Sequence, residues 1–387
     1  MKHNISLLTG RMKSIARRMP VGFVAVIALS SFATAAFTDE LAEIWDTFDR
    51  GKPSAAYEEW RPLAESGDAK AQFLLGSMYY DGRGVSKNYS QAAEWYRRAA
   101  EQGVALAQHA LGVMYEHGQG LQKDYQKAYQ WYSKAARQEY VLAQHALGVM
   151  YENGVGVSRD VGKAVQWYAR AAAQDFQSSI NNLGLLYYRR GRYRDYQKAA
   201  ALLKRAAQSG VPQAEFTYGF MHYRGHGLPQ DFEKAFQWIS RAAGHGLAIA
   251  QTHMGLFYVK GVGVERDDQN ALYWFKKAAQ QGEAVAQSNL GLMSIQGRGV
   301  PKDNKEAIKW YTRAARQGVA DAQYKLGIMY QYGIEVIPND VFAFKWFFLA
   351  ASQGHAGALE SKELLRQKMS AAEINRAEQL ARDVPQN

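Results

Sequence analysis

Apolar residues recur along the chain at the spacing of an α-helix. In the stretch AQHALGVMYEHGQG, Ala107, Leu111, Met114 and Tyr115 fall at positions i, i+4, i+7 and i+8, which form one helical face. A G-x-G turn follows, and a second helical pattern begins after the turn. Because a helix of this kind must bury its apolar face against another element, the pattern predicts antiparallel helix pairs.

This two-helix unit recurs through most of the chain. The glycine of its first helix stands at Gly76, Gly112, Gly148, Gly184, Gly219, Gly255, Gly291 and Gly327, at a spacing of 36 residues with one step of 35. Nineteen residues after that glycine comes a tryptophan, except in the fourth repeat, which is one residue short and has Leu202 at the equivalent position. A fixed period of this length is typical of solenoids. We predict an all-α fold, an α-solenoid of about eight helix pairs with additional helices at its ends.

The recurring positions have mechanical explanations. A glycine inside a helix costs about 1 kcal/mol relative to alanine, so its repetition predicts a close approach of the partner helix. Residues suited to N-capping precede the second helix in all eight repeats: Asn88, Asp124, Asp160, Asp195, Asp231, Asp267, Asp303 and Asn339. A glycine usually ends the second helix, as a left-handed stop. Glu139 and Asp175 replace it in two repeats, where we expect looser or differently closed turns.

Composition narrows the function classes. The chain has 47% hydrophobic and 21% charged residues, which is typical of a folded protein and excludes general disorder. It contains no cysteine, so disulfides, thiolate metal sites and cysteine nucleophiles are excluded. Packing alone must hold the repeats together.

The first 35 residues have the order of a secretory signal peptide. Five basic and no acidic residues lie in the first 20, followed by an apolar stretch from Val21 to about Phe32 and an A-x-A site that ends at Ala35. An uncleaved signal anchor and a buried helix are the alternatives, and translation from Met12 would give a shorter leader. Without residues 1–35 the net charge falls to about +6, which does not predict nucleic-acid binding. After cleavage we expect no membrane span and an exported, periplasmic protein.

The pattern LGxMYxxGxGVxxDxxKAxxWYxKAAxQG resembles that of the Sel-one-like repeat (SLR) family, a branch of the tetratricopeptide-type repeats. The resemblance covers residues 69–354 in eight units. Residues 36–68 resemble a degenerate first repeat or cap, and residues 355–387 resemble terminal capping helices. The resemblance implies a right-handed superhelix whose first helices line a concave face, and a bacterial exported member acting as an adaptor or scaffold.

A variable stripe on the first helices is the predicted partner-binding face. The stripe contains the residues three positions before, one position after and four positions after the repeat glycine. It also includes an asparagine that we expect to bind the main chain of an extended peptide. The candidate residues are Phe73, Tyr80, His109, Glu116, His145, Glu152, Asn181, Asn182, Tyr188, Phe216, Phe220, Tyr223 and Tyr324. The alternative is that these side chains only pack between neighbouring first helices.

The fourth repeat departs most from the pattern. It is one residue short, and its loop interleaves tyrosines with Arg189, Arg190, Arg192 and Arg194. Arginine beside aromatic residues binds anionic groups, so an acidic envelope glycan or an acidic protein patch is a candidate ligand. The alternative is a solvated loop that compensates for the deletion. Export makes nucleic acid the least favoured ligand.

The sequence offers no recognisable catalytic or cofactor motif. The G-x-G pairs recur between helices, whereas a phosphate-binding loop occurs once and follows a strand. His222 and His226 are four residues apart, but Gly225 lies between them in the turn, so we interpret them as packing or solvated residues and expect no metal. We therefore predict a non-enzymatic adaptor of the bacterial cell envelope that binds a protein partner. The alternatives are an envelope glycan-binding protein and, with less support, a cell-wall hydrolase.

Overall fold

The structure is a computed structural model that describes residues 53–189 and 191–384. Within these ranges the chain forms 19 α-helices and no β-strand. They are α1 (Pro53–Glu65), α2 (Ala69–Asp81), α3 (Tyr89–Glu101), α4 (Ala105–His117), α5 (Tyr125–Arg137), α6 (Val141–Asn153), α7 (Val161–Ala173), α8 (Gln177–Tyr188), α9 (Tyr196–Gln208), α10 (Pro212–Arg224), α11 (Phe232–Gly244), α12 (Ala248–Lys260), α13 (Asp268–Gln280), α14 (Ala284–Gln296), α15 (Asn304–Arg316), α16 (Ala320–Tyr332), α17 (Asp340–Ser352), α18 (Ala356–Arg366) and α19 (Ala371–Arg382). The predicted signal peptide, residues 36–52 of the predicted cap and Arg190 lie outside the described residues.

The chain divides into two compact units, residues 1–194 and residues 195–387. The described part of the first unit contains α1–α8, and that of the second contains α9–α19. Within each unit, consecutive helices pack against each other as far as α18, and α19 packs on α17. Each unit is therefore a stack of helix pairs, and the predicted all-α solenoid architecture is confirmed. Across residues 53–189 and 191–384, no helix combines the length and apolarity needed to cross a membrane.

The predicted caps begin the second helix of every repeat. Asp124 is representative: its Oδ1 accepts a hydrogen bond from the Lys127 backbone N–H at 2.9 Å, and the other seven Asp and Asn caps accept equivalent bonds. Seven of the eight first helices end at a left-handed glycine. The exception is α8, which is followed by Arg189 in an extended conformation.

The repeat glycine allows a large side chain from the second helix of the same repeat to pack directly against the first helix. A Cβ added at Gly112 would lie 2.6 Å from a ring carbon of Tyr132. Tyrosine, phenylalanine or isoleucine side chains make equally close approaches at Gly76, Gly148, Gly219, Gly255, Gly291 and Gly327. The predicted close approach is confirmed at these seven positions, and it explains why a residue that weakens helices recurs inside this one.

The expectation of looser turns at Glu139 and Asp175 is wrong. Both residues adopt the left-handed conformation, with φ of 58° and 62°. The backbone bonds are those of the glycine turns: Tyr140 N–H donates to Ala135 O at 3.2 Å, as Val104 N–H donates to Ala99 O at 3.1 Å. The turns are therefore closed in the same way, and the non-glycine residues adopt a conformation that costs them about 1–2 kcal/mol.

Paired glutamines connect successive repeats, and sequence analysis did not identify them. Gln138 Nε2 donates to Gly103 O at 2.9 Å and to Gln108 Oε1 at 2.8 Å, while Gln108 Nε2 donates to Ala100 O at 3.0 Å. The same glutamine–glutamine bond occurs in six repeats. This glutamine ladder supplies side-chain donors to the end of the preceding second helix: Gly103 O accepts from Gln138, and Ala100 O accepts from Gln108 in addition to the Gly103 backbone N–H.

Candidate partner-binding site

The predicted stripe lies beside the tyrosines of the second helices in the first unit. Ring centroids are 5.7 Å apart for Phe73 and Tyr96, 5.4 Å for His109 and Tyr132, and 5.5 Å for His145 and Tyr168. The position three before the glycine is therefore partly a packing position. Its available surface differs from repeat to repeat, and this decides which residues a partner can reach.

Three of the candidate residues are buried, and for these the structure corrects the prediction of a partner contact. Phe73 is 1% exposed, and Asn181 and Phe216 are each 8% exposed. Phe73 packs on Tyr96, and Phe216 packs on Phe220 and His253. The packing alternative holds for these residues. The other ten candidates are half-buried and keep some surface.

His109 and His145 lie between aromatic rings. His109 contacts Tyr132 and Tyr140, and its Nδ1 atom is buried without a hydrogen-bond partner among the described residues. His145 Nδ1 pairs with Ser179 Oγ at 2.9 Å. Burial lowers the pKa of each histidine to about 4, so both rings are neutral at pH 7.

Acidic side chains occupy the same face two turns further along the helices. Glu116 accepts from the Tyr132 hydroxyl at 2.6 Å, and Glu152 accepts from the Tyr168 hydroxyl at 2.9 Å. Burial, together with the neighbouring carboxylate, raises the pKa of the Tyr132 hydroxyl far above its usual value, so it remains a donor.

The predicted asparagine pair is bonded internally. Asn181 Nδ2 donates to Asn182 Oδ1 at 3.2 Å, and Asn182 Nδ2 donates to the Tyr168 hydroxyl at 3.3 Å. Tyr188 is half-buried at the end of the same helix, and Tyr80 donates from its hydroxyl to Gln119 Oε1 at 2.9 Å. Asn182 is thus the member of the pair with surface left for a partner.

The second unit carries an aromatic cluster on α10 and α12. Phe220 lies 6.0 Å from Phe216, 5.7 Å from Tyr223 and 5.7 Å from His253, measured between ring centroids. The exposed Arg224 guanidinium lies 5.3 Å from the Phe220 ring and 5.5 Å from the Tyr223 ring. Sequence analysis did not identify His253 or Arg224: Arg224 lies on α10 beside three candidates, whereas His253 lies on α12, which carries none.

The remaining candidate, Tyr324, and the histidines His222 and His226 each pack against an aromatic ring outside the cluster on α10 and α12. Tyr324 stacks on His355, with centroids 4.5 Å apart. His222 is buried in α10 against Tyr218, whereas His226 stacks on Tyr196 from the turn. The packing interpretation of His222 and His226 is therefore confirmed.

The arginine-rich loop of the fourth repeat borders a pocket of about 530 Å³ in the first unit. The lining residues are Glu152, Arg159, Asp160, Val161, Leu186, Arg189, Gly191, Arg192, Tyr193 and Arg194. Arg189 Nη1 lies 2.6 Å from Glu152 Oε1, and the Arg192 guanidinium lies 4.7 Å from the Tyr193 ring centroid. Three of the four predicted arginines thus meet at one pocket, and Arg190 lies outside the described residues.

Comparison with known protein families agrees with this geometry. The Sel1 repeat model matches residues 69–104, 105–140, 141–176, 177–211, 212–247, 248–283, 284–319 and 320–355. The chain belongs to the Sel1 repeat family. Proteins of this family are generally protein-interaction scaffolds, and the fold is typically non-enzymatic.

Two solved structures are similar to the Sel1 repeat chain over most of its length. A Sel1 repeat protein from Oxalobacter formigenes is 35% identical, with a TM-score of 0.64, and the match covers 80% of this chain and 89% of the other. A protective antigen of uropathogenic Escherichia coli strains, which displays an SLR fold, is 31% identical with a TM-score of 0.55, covering 84% and 78%. Comparison with functionally curated proteins gave no match.

Proposed function

We propose that this Sel1 repeat protein is a non-enzymatic adaptor of the bacterial cell envelope that binds a segment of a partner protein on the first-helix face. The observation that carries the proposal is the cluster of Phe220, Tyr223, His253 and Arg224 in the second unit. Aromatic residues and arginine are enriched among residues that dominate binding energy. The cluster keeps surface on α10 and α12, where a partner side chain would contact several rings at once.

The binding face is tested by cross-linking in the native cells. Phe220→Ser combined with Tyr223→Ser removes two half-buried rings, while Tyr273→Ser removes a ring that is 48% exposed on a second helix, α13. We expect a defined protein to cross-link to the parent chain and to the Tyr273 variant but not to the double variant. Equal capture by all three chains, with circular dichroism unchanged, would remove this face from the proposal.

Export is supported by the signal-like order of residues 1–35. We expect a C-terminally tagged chain to fractionate with the periplasm and its mature N-terminus to begin at residue 36. Retention in the cytoplasm with residues 1–35 still attached would contradict the envelope assignment. It would leave the scaffold assignment intact, because that rests on the repeats.

Binding of an acidic envelope glycan is the second candidate function, and the arginine-lined pocket is the observation that favours it. Arg189, Arg192 and Arg194 line the pocket. Sedimentation of the pure protein with an acidic polysaccharide, lost when Arg189 and Arg192 are changed to serine, is the expected result for this function. Failure to sediment at low ionic strength would exclude it.

A further inference from the structure

The pocket exists because the fourth repeat closes its turn differently from the others. In the third repeat, the second glycine of the G-x-G turn packs on the first residue of an earlier second helix: a Cβ at Gly156 would lie 2.5 Å from Tyr125 O. Gly120, Gly227, Gly263 and Gly299 make the equivalent contact. In the shortened fourth loop a Cβ added at Gly191 would meet no atom within 4 Å outside its chain neighbours, and Val161, the first residue of α7, lines the pocket instead.

A second departure from the repeat accommodates the shortened loop. Tyr193 reaches the start of α7, where a Cβ at Gly162 would lie 2.6 Å from the Tyr193 hydroxyl oxygen. The corresponding position holds Ser90, Gln126, Gln197, Glu233, Gln269, Lys305 or Val341 in the other repeats. The missing side chain at Gly162 and the tyrosine at position 193 therefore form one arrangement, which holds the loop open above α7.

The charges in the pocket are unequal. Four arginines line it, against the two carboxylates Glu152 and Asp160. Asp160 is engaged in capping α7, where its Oδ1 accepts from the Lys163 N–H at 3.0 Å. Glu152 accepts from both Tyr168 and Arg189. By formal count the lining carries two more positive than negative charges, and the apolar side chains of Val161 and Leu186 line the same space.

We propose that this pocket binds a single acidic side chain presented by a protein segment, an inference that rests on the proposed scaffold function. Glu152 shows that a side-chain carboxylate fits on Arg189, with an Nη1 to Oε1 distance of 2.6 Å. Arginine binds carboxylates through charge-assisted, often bidentate bonds, and the apolar part of the lining suits the methylene groups of a glutamate. Glu152 belongs to the first-helix face, so a segment on that face of the first unit passes next to the pocket.

The test is fluorescence polarisation of labelled hexaglutamate with the full-length protein, beside hexaglutamine. We expect hexaglutamate alone to bind, and Arg189→Gln with Arg192→Gln to weaken it by about tenfold, as expected for loss of charged hydrogen bonds. Arg137→Gln, an exposed charge in the last turn of α5, is the matched control and should change the affinity by less than about twofold. An equal loss with the Arg137 control would mean that only net charge is sensed, which would overturn the proposal.

Two further variants distinguish the effect of the pocket's shape from the effect of its charge. Gly162→Ala keeps the charge but displaces Tyr193, so we expect several-fold weaker binding. Glu152→Gln removes the competing carboxylate and should strengthen binding. Unchanged affinity in both would overturn the proposal, as would binding of oligogalacturonate without hexaglutamate, which would assign the pocket to an acidic glycan. Hexaglutamate binding does not use the Phe220 cluster, so its failure is distinguishable from failure of the scaffold proposal.

Discussion

Replacing His109 by phenylalanine is expected to stabilise the protein, and more strongly at acidic pH. The ring is packed between Tyr132 and Tyr140, and its Nδ1 atom is buried without a partner among residues 53–189 and 191–384. Phe73 occupies the equivalent position in the first repeat and packs on Tyr96 in the same way. Phenylalanine therefore fits the site, and it removes both the unpaired nitrogen and the titration.

The size of the effect follows from the pKa. Burial lowers the pKa of His109 from 6.5 to about 4. Because the folded-state pKa lies below the unfolded one, protonation of the histidine costs almost no stability above pH 6.5, and stability is lost progressively as the pH falls from 6.5 towards 4. At pH 5 the loss is about 2 kcal/mol by proton linkage. Removing the unpaired nitrogen adds about 1 kcal/mol at any pH.

Urea unfolding followed by circular dichroism at pH 7.5 and pH 5 measures both contributions. The expected gain in unfolding free energy for His109→Phe is about 1 kcal/mol at pH 7.5 and about 3 kcal/mol at pH 5. Gln126→Ala changes an exposed residue without a titrating group, on α5, and should leave the pH dependence of the unfolding free energy unchanged. A gain for His109→Phe that is the same at both pH values would refute the assignment of a buried, neutral ring.

Four other substitutions, one of them a control, test the packing of the repeats, each by calorimetric melting. Gly112→Ala should destabilise the protein by about 2–3 kcal/mol because its Cβ would overlap the Tyr132 ring. The control Gly244→Ala, with no atom within 4 Å of the new Cβ, should stabilise the protein by up to about 1 kcal/mol. Equal effects of the two substitutions would contradict the close-approach explanation. Gln108→Ala should cost about 2–3 kcal/mol, because it removes a buried link of the glutamine ladder, and a neutral result would remove the ladder from the account of stability. Asp175→Gly should stabilise by about 1 kcal/mol by relieving the left-handed backbone; a loss would show that the aspartate side chain holds the turn.

The helices, their caps and the glycine contact were predictable from the sequence because each is local or recurs in phase. Asp124 and its equivalents cap through bonds to residues three positions on, and a repeated pattern presents the same signal eight times. The turns at Glu139 and Asp175 were not predictable in this way. Both close with the backbone bonds of the glycine turns, against the local preference of the residue.

The candidate site was predictable as a face but not residue by residue. Position on a helix shows which side chains share a face, but the depth of Phe73, Asn181 and Phe216 depends on which neighbouring side chains cover them. Other features left a signal in the sequence. The ladder glutamines recur four residues before and 26 residues after the repeat glycine, and Gly162 is the one glycine in its slot of the repeat.

The departures from the repeat show where this chain differs from a generic solenoid. Recurring residues are accounted for by packing, since the glycine contact occurs in seven repeats and the glutamine–glutamine bond in six of those that the structure describes. In the fifth repeat a carboxylate takes the ladder position: Glu215 is fully buried, 2.8 Å from His245 Nδ1 and 3.1 Å from Arg241 Nη2. Burying a carboxylate requires compensating charge, which Arg241 supplies, while His245 contributes a hydrogen bond; these two residues are the structural counterpart of that substitution. The shortened loop with Gly162 has no such internal counterpart, because it leaves a pocket with surplus positive charge. A departure that opens a pocket lined by charged residues, instead of compensating a buried charge inside the protein, is the kind expected of a binding site.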